Sequence, residues 1–219
     1  MGIGKLAFLE FVAEAVDGSK GVAGRDRAIQ GDYFVSRRLG LGFVKPSAWY
    51  FHAFEDFEPK LAGNIFVEGS VMDGADFSVY GSDLVVVVSK YPLGSETEVE
   101  KAAVGPSIAI CSSSRDKEDA KDDLKTLVSQ TIDLSREVLR DFLILEPPRF
   151  QMISMCPAAR FTSQFIMEHS RTMPTLVRVE TLVIDQGACV YSINLTDLPA
   201  IGHTAAPEFD AFVGTLHLA

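Results

Sequence analysis

Three stretches in the second half of the chain decide the fold: residues 158–168 (AARFTSQFIME), 175–184 (TLVRVETLVI) and 189–195 (CVYSINL). In each stretch the side chains alternate with a period of two, which is typical of β-strands. The links are short, and residues 185–187 (DQG) predict a tight turn. Because short links join antiparallel neighbours, the stretches predict an antiparallel meander. Both of its faces carry apolar residues, so we expect the sheet to be covered on both sides.

The stretch before the meander predicts a long helix that ends before Pro147 and Pro148. Apolar or small side chains recur at intervals of three and four, a helical stripe of about six turns. The stripe consists of Leu124, Leu127, Thr131, Leu134, Val138 and Phe142. Acidic residues, Asp116, Glu118 and Asp119, precede it, where the helix dipole favours negative charge. The serines at 112–114 are candidate helix caps.

The remaining segments predict short strands and one more helix. The predicted strands are residues 33–36 and 41–44, which form a hairpin, and residues 64–71, 77–80, 84–89, 107–111 and 216–218. Residues 207–213 predict a short helix with Phe209, Phe212 and Val213 facing inward. Strands and helices are segregated along the chain and do not alternate as β-α-β units. This order predicts the α+β class, with helices packed on an antiparallel sheet.

The amino-terminal residues predict a separate small element. Leu6, Leu9, Val12 and Val16 form one stripe of an amphipathic helix over residues 6–16. Residues 18–31 contain four glycines and mixed charges, which is typical of a linker. We therefore divide the chain into an N-terminal helix and linker, residues 1–30, and an α+β domain, residues 31–219.

Composition excludes several classes of protein. Among 219 residues, 47% are hydrophobic and 23% charged, which is ordinary for a soluble globular chain. The 30 acidic residues against 20 basic ones give a formal charge of −10, which disfavours binding to nucleic acid or to anionic membranes. No apolar stretch is long enough for a membrane span or a secretion signal. The three isolated cysteines form neither a disulfide framework nor a zinc motif, so we expect a cytoplasmic protein.

The chain resembles the PsbP-like fold superfamily, which includes the PsbP subunit of photosystem II, the Ran-release factor and bacterial secretion-effector chaperones. The features that carry the resemblance are residues 43–49 (FVKPSAW), the Pro147-Pro148 pair, and residues 160–165, 190–193 and 209–213. The resemblance covers residues 31–219 and implies an αβα sandwich around a central antiparallel sheet, with one long helix on one face. It also implies a binding or adaptor role without a bound cofactor. In the bacterial chaperones of the group, the implied client is an apolar helix of a secreted effector.

An aromatic cluster is the best candidate for a partner-binding site. Trp49, Tyr50, Phe51, Phe54 and Phe57 lie within nine positions and are edged by acidic residues. So many rings cannot all point one way along a strand, and an exposed apolar patch with an acidic rim is typical of a partner site. Such a rim suits a basic partner, or an apolar helix with basic flanks. The alternative is that the rings cover one end of the core.

Catalytic motifs are absent from the sequence, with one position to consider. The four histidines match no metal-binding spacing, and there is no phosphate-binding or nucleophile-elbow motif. Cys111 lies at a predicted strand end, where a following helix would favour a thiolate nucleophile, with His169 or His52 as its base. A buried cysteine beside serine caps explains the same residues. We predict no metal and no cofactor.

Three hypotheses follow from the sequence. The first is a non-enzymatic cytosolic binding protein, an adaptor or chaperone that holds an apolar segment of a partner protein, such as a secretion effector. The second is a Cys-dependent hydrolase centred on Cys111. The third is a structural subunit of a larger complex. The N-terminal helix either covers the sheet or mediates formation of a homodimer.

Overall fold

The structure is a computed structural model that describes residues 27–52, 82–91, 106–115, 123–167, 174–199 and 204–219. Its elements, in chain order, are β1 (Arg27–Gln30), β2 (Tyr33–Ser36), β3 (Leu41–Val44), β4 (Tyr50–His52), β5 (Ser82–Ser89), β6 (Ser107–Ser114), α1 (Leu124–Val138), β7 (Leu143–Ile153), β8 (Cys156–Met167), β9 (Thr175–Asp185), β10 (Cys189–Asp197), α2 (Ala206–Val213) and β11 (His217–Leu218). The chain divides into two compact units. The first consists of Met1–Ser47 and Glu208–Ala219, and the second of Ala48–Pro207.

The first unit is built on a four-stranded antiparallel sheet of order β1-β2-β3-β11. Its strands β2 and β3 are the predicted hairpin. The Phe34 ring stacks on Phe43 at a centroid distance of 4.9 Å, and Phe43 meets Phe212 of α2 edge-on at 5.0 Å. Thr215 Oγ1 accepts the Val44 N–H (3.0 Å) and donates to the Phe212 carbonyl (2.7 Å). These contacts fix α2 against this sheet.

Strand β1 lies where the sequence predicts a linker. Residues 27–30 pair along their whole length with β2, from Arg27 opposite Ser36 to Gln30 opposite Tyr33. The backbone hydrogen bonds of this pairing give these residues a defined structure, so the predicted linker is wrong for Arg27–Gln30. The predicted N-terminal helix lies outside the described residues, as do the predicted strands 64–71 and 77–80.

The second unit contains a seven-stranded antiparallel sheet of order β4-β5-β6-β10-β9-β8-β7. The predicted meander is confirmed as β8, β9 and β10. The apolar run at 84–89 is also confirmed as strand β5, in which residues 85–89 are all buried. Antiparallel sheets with two helices in the described residues place the chain in the α+β class.

Helix α1 is shorter than predicted, and its buried stripe is rotated. It ends at Val138 because Leu139 adopts an extended backbone (φ −99°, ψ 127°). The buried side chains are Leu124, Val128 and Ile132, which form a cluster with Ala159, Phe161 and Val183 of the sheet. The predicted stripe contained Leu127 and Leu134, which are only partly buried, and Val138, which is exposed. A constant interval of four inclines the stripe to the helix axis more than mixed intervals of three and four do, and the apolar residues of this helix fit both patterns.

The serine caps were also predicted wrongly. Residues 112–114 continue β6 and pair with the start of β10, from Ser112 opposite Tyr191 to Ser114 opposite Cys189. The cap of α1 is Asp123, whose Oδ1 accepts the backbone N–H of Thr126 at 2.8 Å. Serine is common at helix caps, where its side chain bonds to a backbone N–H that has no other partner. Here the backbone of residues 112–114 pairs with β10 instead.

Candidate partner-binding surface

The predicted aromatic cluster is divided by the structure. Trp49 is buried, with 3% of its surface exposed, whereas Tyr50 on the edge strand β4 is 47% exposed. Phe51 is half-buried, and Phe54 and Phe57 lie outside the described residues. Of the described members, Tyr50 alone therefore presents a large exposed ring.

The other edge of the same sheet carries a larger apolar surface. Strand β7 pairs with β8 on one side, and no described strand pairs with its outer side. Five apolar side chains along β7 and its turn are between 43% and 92% exposed. We call these residues the edge surface: Leu143, Leu145, Phe150, Met152 and Met155. Leu143 lies opposite Gln164 whereas Phe150 lies opposite Ala159, so the edge surface extends over both faces of the sheet at this edge.

Two prolines and two register shifts give β7 its shape. Its pairing with β8 is irregular between Ile144 and Glu146 and again between Glu146 and Arg149, where Pro147 and Pro148 lie. Proline has no N–H for a ladder and is tolerated in edge strands and at bulges. Bulges and prolines also prevent an edge from pairing with another strand. The edge surface is therefore suited to side-chain contacts and not to the addition of a strand.

The register places part of the edge surface beside α1. Phe150 pairs with Ala159, and Met152 pairs with Pro157. Ala159 belongs to the cluster that packs against α1, and side chains two residues apart on a strand share a face. Phe150 and Met152 therefore lie on the face of the sheet that α1 covers, near the outer edge.

The β7–β8 turn has a strained backbone. Ser154 (φ 45°) and Met155 (φ 68°) both have positive φ, and Ile153 pairs with Cys156 directly across the turn. Two-residue hairpin turns need this conformation, and glycine or asparagine usually supplies it. For other residues it costs about 1–2 kcal/mol each. Met155 nevertheless stands at the tip, 92% exposed.

Exposed Asp123 of α1 lies at the same end of the sheet as this turn. Helix α1 ends just before β7 begins, so its amino-terminus points towards the other end of β7, where the turn lies. That terminus carries exposed Asp123, whose pKa is lowered chiefly by the backbone hydrogen bond from Thr126. Along β7 itself, exposed Glu146 and Arg149 form an ion pair at 3.4 Å.

Cys111, the candidate nucleophile, lies within β6 opposite Ser192 of β10. Around it is a row of polar side chains: Thr181 donates to Asn194 Oδ1 at 2.9 Å, and Asn194 Nδ2 donates to Ser192 at 3.1 Å. Burial raises the pKa of Cys111 from 9.0 to about 11. The thiol therefore keeps its proton at neutral pH, which disfavours a nucleophilic role.

The bases proposed for Cys111 are not brought to it by the described residues. His169 lies outside them, and for His52 the structure describes only the backbone, in β4. The described residues contain no group of three His, Cys, Asp or Glu side chains that could hold a metal ion. Within the same residues, no helix has the length and apolar character needed to cross a membrane.

The sequence did not identify the edge surface. Its signal is present, because Leu143 and Leu145 alternate before the prolines, and Phe150 and Met152 alternate after them. The Pro147-Pro148 pair was interpreted as the stop of a helix. A period of two on both sides of the pair would have indicated an interrupted edge strand.

Comparison with protein families finds no match for this chain, and comparison with curated proteins finds none either. Several solved structures are similar. The solution structure of cyanobacterial PsbP from Synechocystis sp. PCC 6803 is 11% identical, covering 92% of this chain and 98% of that one, with a TM-score of 0.48. A crystal structure from Bacteroides thetaiotaomicron VPI-5482 is 15% identical, covering 87% of this chain and 49% of that one (TM-score 0.47).

A third similar structure is a protein of unknown function, PA94, from Pseudomonas aeruginosa. It is 14% identical and covers 48% of this chain and 68% of that one, with a TM-score of 0.39. These similarities concern the course of the backbone and assign no activity to this chain.

Proposed function

We propose that this chain is a non-enzymatic binding protein, an adaptor or chaperone that holds an apolar segment of a partner protein. The observation that carries the proposal is the edge surface, whose five apolar side chains are exposed along β7 and its turn. Burying such side chains contributes about 25 cal/mol per Å² of apolar area to the free energy of binding. A complex in which a partner covers them is therefore stabilised. A cytoplasmic location and a PsbP-like αβα sandwich belong to this proposal.

The form of β7 supports docking through side chains. Pro147, Pro148 and the two register shifts interrupt the outer row of backbone hydrogen-bonding groups. A partner segment therefore gains its affinity from contact with Phe150, Met152 and their neighbours and not from an added strand.

Charge supports a partner with basic residues. The chain has a formal charge of −10, and exposed Asp123 caps the amino-terminus of α1. Opposite charge speeds the encounter of two proteins and selects the partner more than it adds affinity. We therefore propose that lysine or arginine residues flank the apolar segment of the partner.

The proposal is tested with a labelled probe peptide of about 20 residues, whose leucine-alanine core is flanked by lysines. Fluorescence anisotropy of the probe peptide measures its binding to the full chain. We expect the wild type to bind the probe peptide. The double variant Phe150→Ser, Met152→Ser should bind it with an affinity at least about tenfold lower, since two anchors are lost. The matched control is Ile29→Ser, which alters a side chain of comparable exposure on β1.

Three outcomes would contradict the proposal. The wild type and the double variant could bind the probe peptide equally well. Tyr50→Ser alone could abolish binding, which would assign the site to the aromatic cluster. Sedimentation could show a wild-type dimer that the double variant loses, with no binding of the probe peptide, which would make a second copy of the chain the occupant of the edge surface.

A further inference from the structure

The exposed side chains of β7 follow an order that is complementary to itself. The centre of the order lies between Pro147 and Pro148, and exposed residues at equal distances from that centre match, apolar with apolar and acidic with basic. The matching positions are Glu146 and Arg149, Leu145 and Phe150, and Leu143 and Met152. One position of the order departs from it, because Ile144 packs against the cluster that contains α1 and corresponds to exposed Gln151.

Self-complementary order is what a symmetric dimer requires. In a two-fold symmetric interface the same surface of both copies is used, so each residue meets a different residue of the second copy. Two antiparallel copies of β7, related by a two-fold axis that passes between Pro147 and Pro148, place each residue level with its match. Apolar side chains then lie beside apolar ones, and Glu146 of each copy lies level with Arg149 of the other.

The centre of this arrangement is electrically neutral. Each chain has a formal charge of −10, so two copies repel each other at long range. Glu146 Oε2 and Arg149 Nη2 of one chain lie 3.4 Å apart, with both side chains at least half exposed. An exposed pair of this kind contributes little to stability, so it exchanges partners at little cost. Two glutamates and two arginines at the axis carry no net charge, and the contact itself therefore adds no repulsion.

The form of the strand favours a closed pair over a growing sheet. Pro147, Pro148 and the two register shifts oppose the addition of a further strand, whereas side-chain contacts about a two-fold axis are complete with two copies. Strand β7 has 11 residues and an extended length of about 36 Å. An interface confined to such a strand belongs to the small, transient class, so we expect dissociation in the micromolar range.

We infer that the chain without a bound partner forms a two-fold symmetric homodimer, in which β7 of each copy covers β7 of the other. The second copy then occupies the surface that carries the proposed function. A partner segment and a second copy compete for it, so binding of a partner separates the two chains. The dimer itself does not depend on the proposed function, whereas the competition rests on it.

An exchange of charges tests the inference by sedimentation equilibrium of the full chain. Glu146→Arg places four arginines at the axis and Arg149→Glu places four glutamates there, so each variant alone should dimerise at least about tenfold more weakly than the wild type. An equimolar mixture of the two variants restores opposite charges across the axis, and a mixed dimer should form with the wild-type affinity within about threefold. The matched controls are Asp133→Arg and Arg136→Glu, which make the same charge changes in an exposed ion pair on α1. Each control should dimerise within about twofold of the wild type.

Three results would overturn the inference. The wild type could remain monomeric up to about 200 μM, beyond the range of transient interfaces. Glu146→Arg could dimerise as well as the wild type, or the mixture could dimerise no better than its two components. Circular dichroism of each variant confirms that a lost dimer does not reflect a lost fold.

The probe peptide distinguishes this inference from the proposed function. If both hold, the probe peptide converts the wild-type dimer into single chains that each carry one peptide. A dimer that the probe peptide neither binds nor separates supports the inference and contradicts the proposed function. Binding of the probe peptide to a wild type that is monomeric throughout does the reverse.

Discussion

Two tight turns lie at the same end of the seven-stranded sheet and are built in opposite ways. The β7–β8 turn contains Ser154 and Met155, and the β9–β10 turn contains Gln186, Gly187 and Ala188. Since Ala158 pairs with Ile184, the ends of β8 and β9 are level, and the two turns are neighbours. They therefore lie side by side and differ both in length, two residues against three, and in the residues that form them.

The β9–β10 turn is built from favourable local chemistry. Its positive φ of 86° falls on Gly187, whose N–H donates to Asp185 Oδ1 at 2.8 Å. The other oxygen of Asp185 pairs with Arg115 Nη1 at 2.8 Å, and the Arg115 N–H donates to the Ala188 carbonyl at 3.0 Å. Each of these features stabilises the turn and fixes it to β6.

The β7–β8 turn has an ordinary side chain where its neighbour has glycine, and it places that side chain in solvent. The difference teaches that loop length sets the backbone strain: the two-residue turn needs positive φ at both of its residues, whereas the three-residue turn has it at Gly187 alone. The strain at Ser154 and Met155 is therefore the cost of closing this hairpin without glycine or asparagine.

The largest effect that we expect in the β9–β10 turn comes from Asp185→Ala. The Arg115 side chain is 6% exposed, so removal of the carboxylate leaves a buried cation without its main partner. Breaking a buried ion pair in this way costs about 3 kcal/mol of unfolding free energy, as measured by urea denaturation. The control is Asp133→Ala, which removes an ion pair to Arg136 of the same length at an exposed site. That change should stay within about 0.5 kcal/mol, and equal losses from the two variants would contradict the assignment.

Much of the second unit could be predicted because its signals are local. The alternation in β8, β9 and β10, the buried run of β5 and the turn at Gly187 each follow from residues within a few positions. The predictions failed where the deciding partner is distant in sequence. Residues 112–114 form a strand because β10 lies beside them, and residues 27–30 form a strand because β2 does.

The candidate site was harder to predict than the fold. Whether Phe150 is exposed depends on the order of strands in the sheet, which places β7 at an edge. The same apolar residue would be core in a central strand, so composition and periodicity cannot distinguish the two positions. The positive φ of Met155 is likewise invisible in the sequence, because methionine carries no turn signal.

At the centre of the sheet, away from both turns, the buried thiol of Cys111 makes the free energy of unfolding depend on pH. The pKa of Cys111 is raised from 9.0 to about 11 by burial. Below about pH 9 the thiol is protonated in both states, so its contribution to stability is fully present. Between about pH 9 and 11 the unfolded thiol ionises first, and the free energy of unfolding falls by about 2 kcal/mol.

Urea denaturation of the wild type and of Cys111→Ala between pH 8 and 10.5 measures this contribution. The variant should lack that part of the fall, so the stability difference between the two proteins changes with pH. A constant difference would show that Cys111 has the same pKa in the folded and unfolded states, which would remove the physical objection to a thiolate at this position.

We expect the smallest loss of unfolding free energy from Gly187→Ala, which would place a non-glycine residue at positive φ in the β9–β10 turn. An added Cβ at Gly187 meets no atom within 4 Å, so Gly187→Ala changes backbone strain without a steric clash. At positive φ this costs about 1 kcal/mol of unfolding free energy, measured by urea denaturation. Gly187→Asn is the matched control, because asparagine adds a side chain yet tolerates the left-handed conformation, and it should cost less than half as much. Equal costs for the two variants would mean that the loss arises from the side chain and not from the backbone, and the contrast between the two turns would then need another explanation.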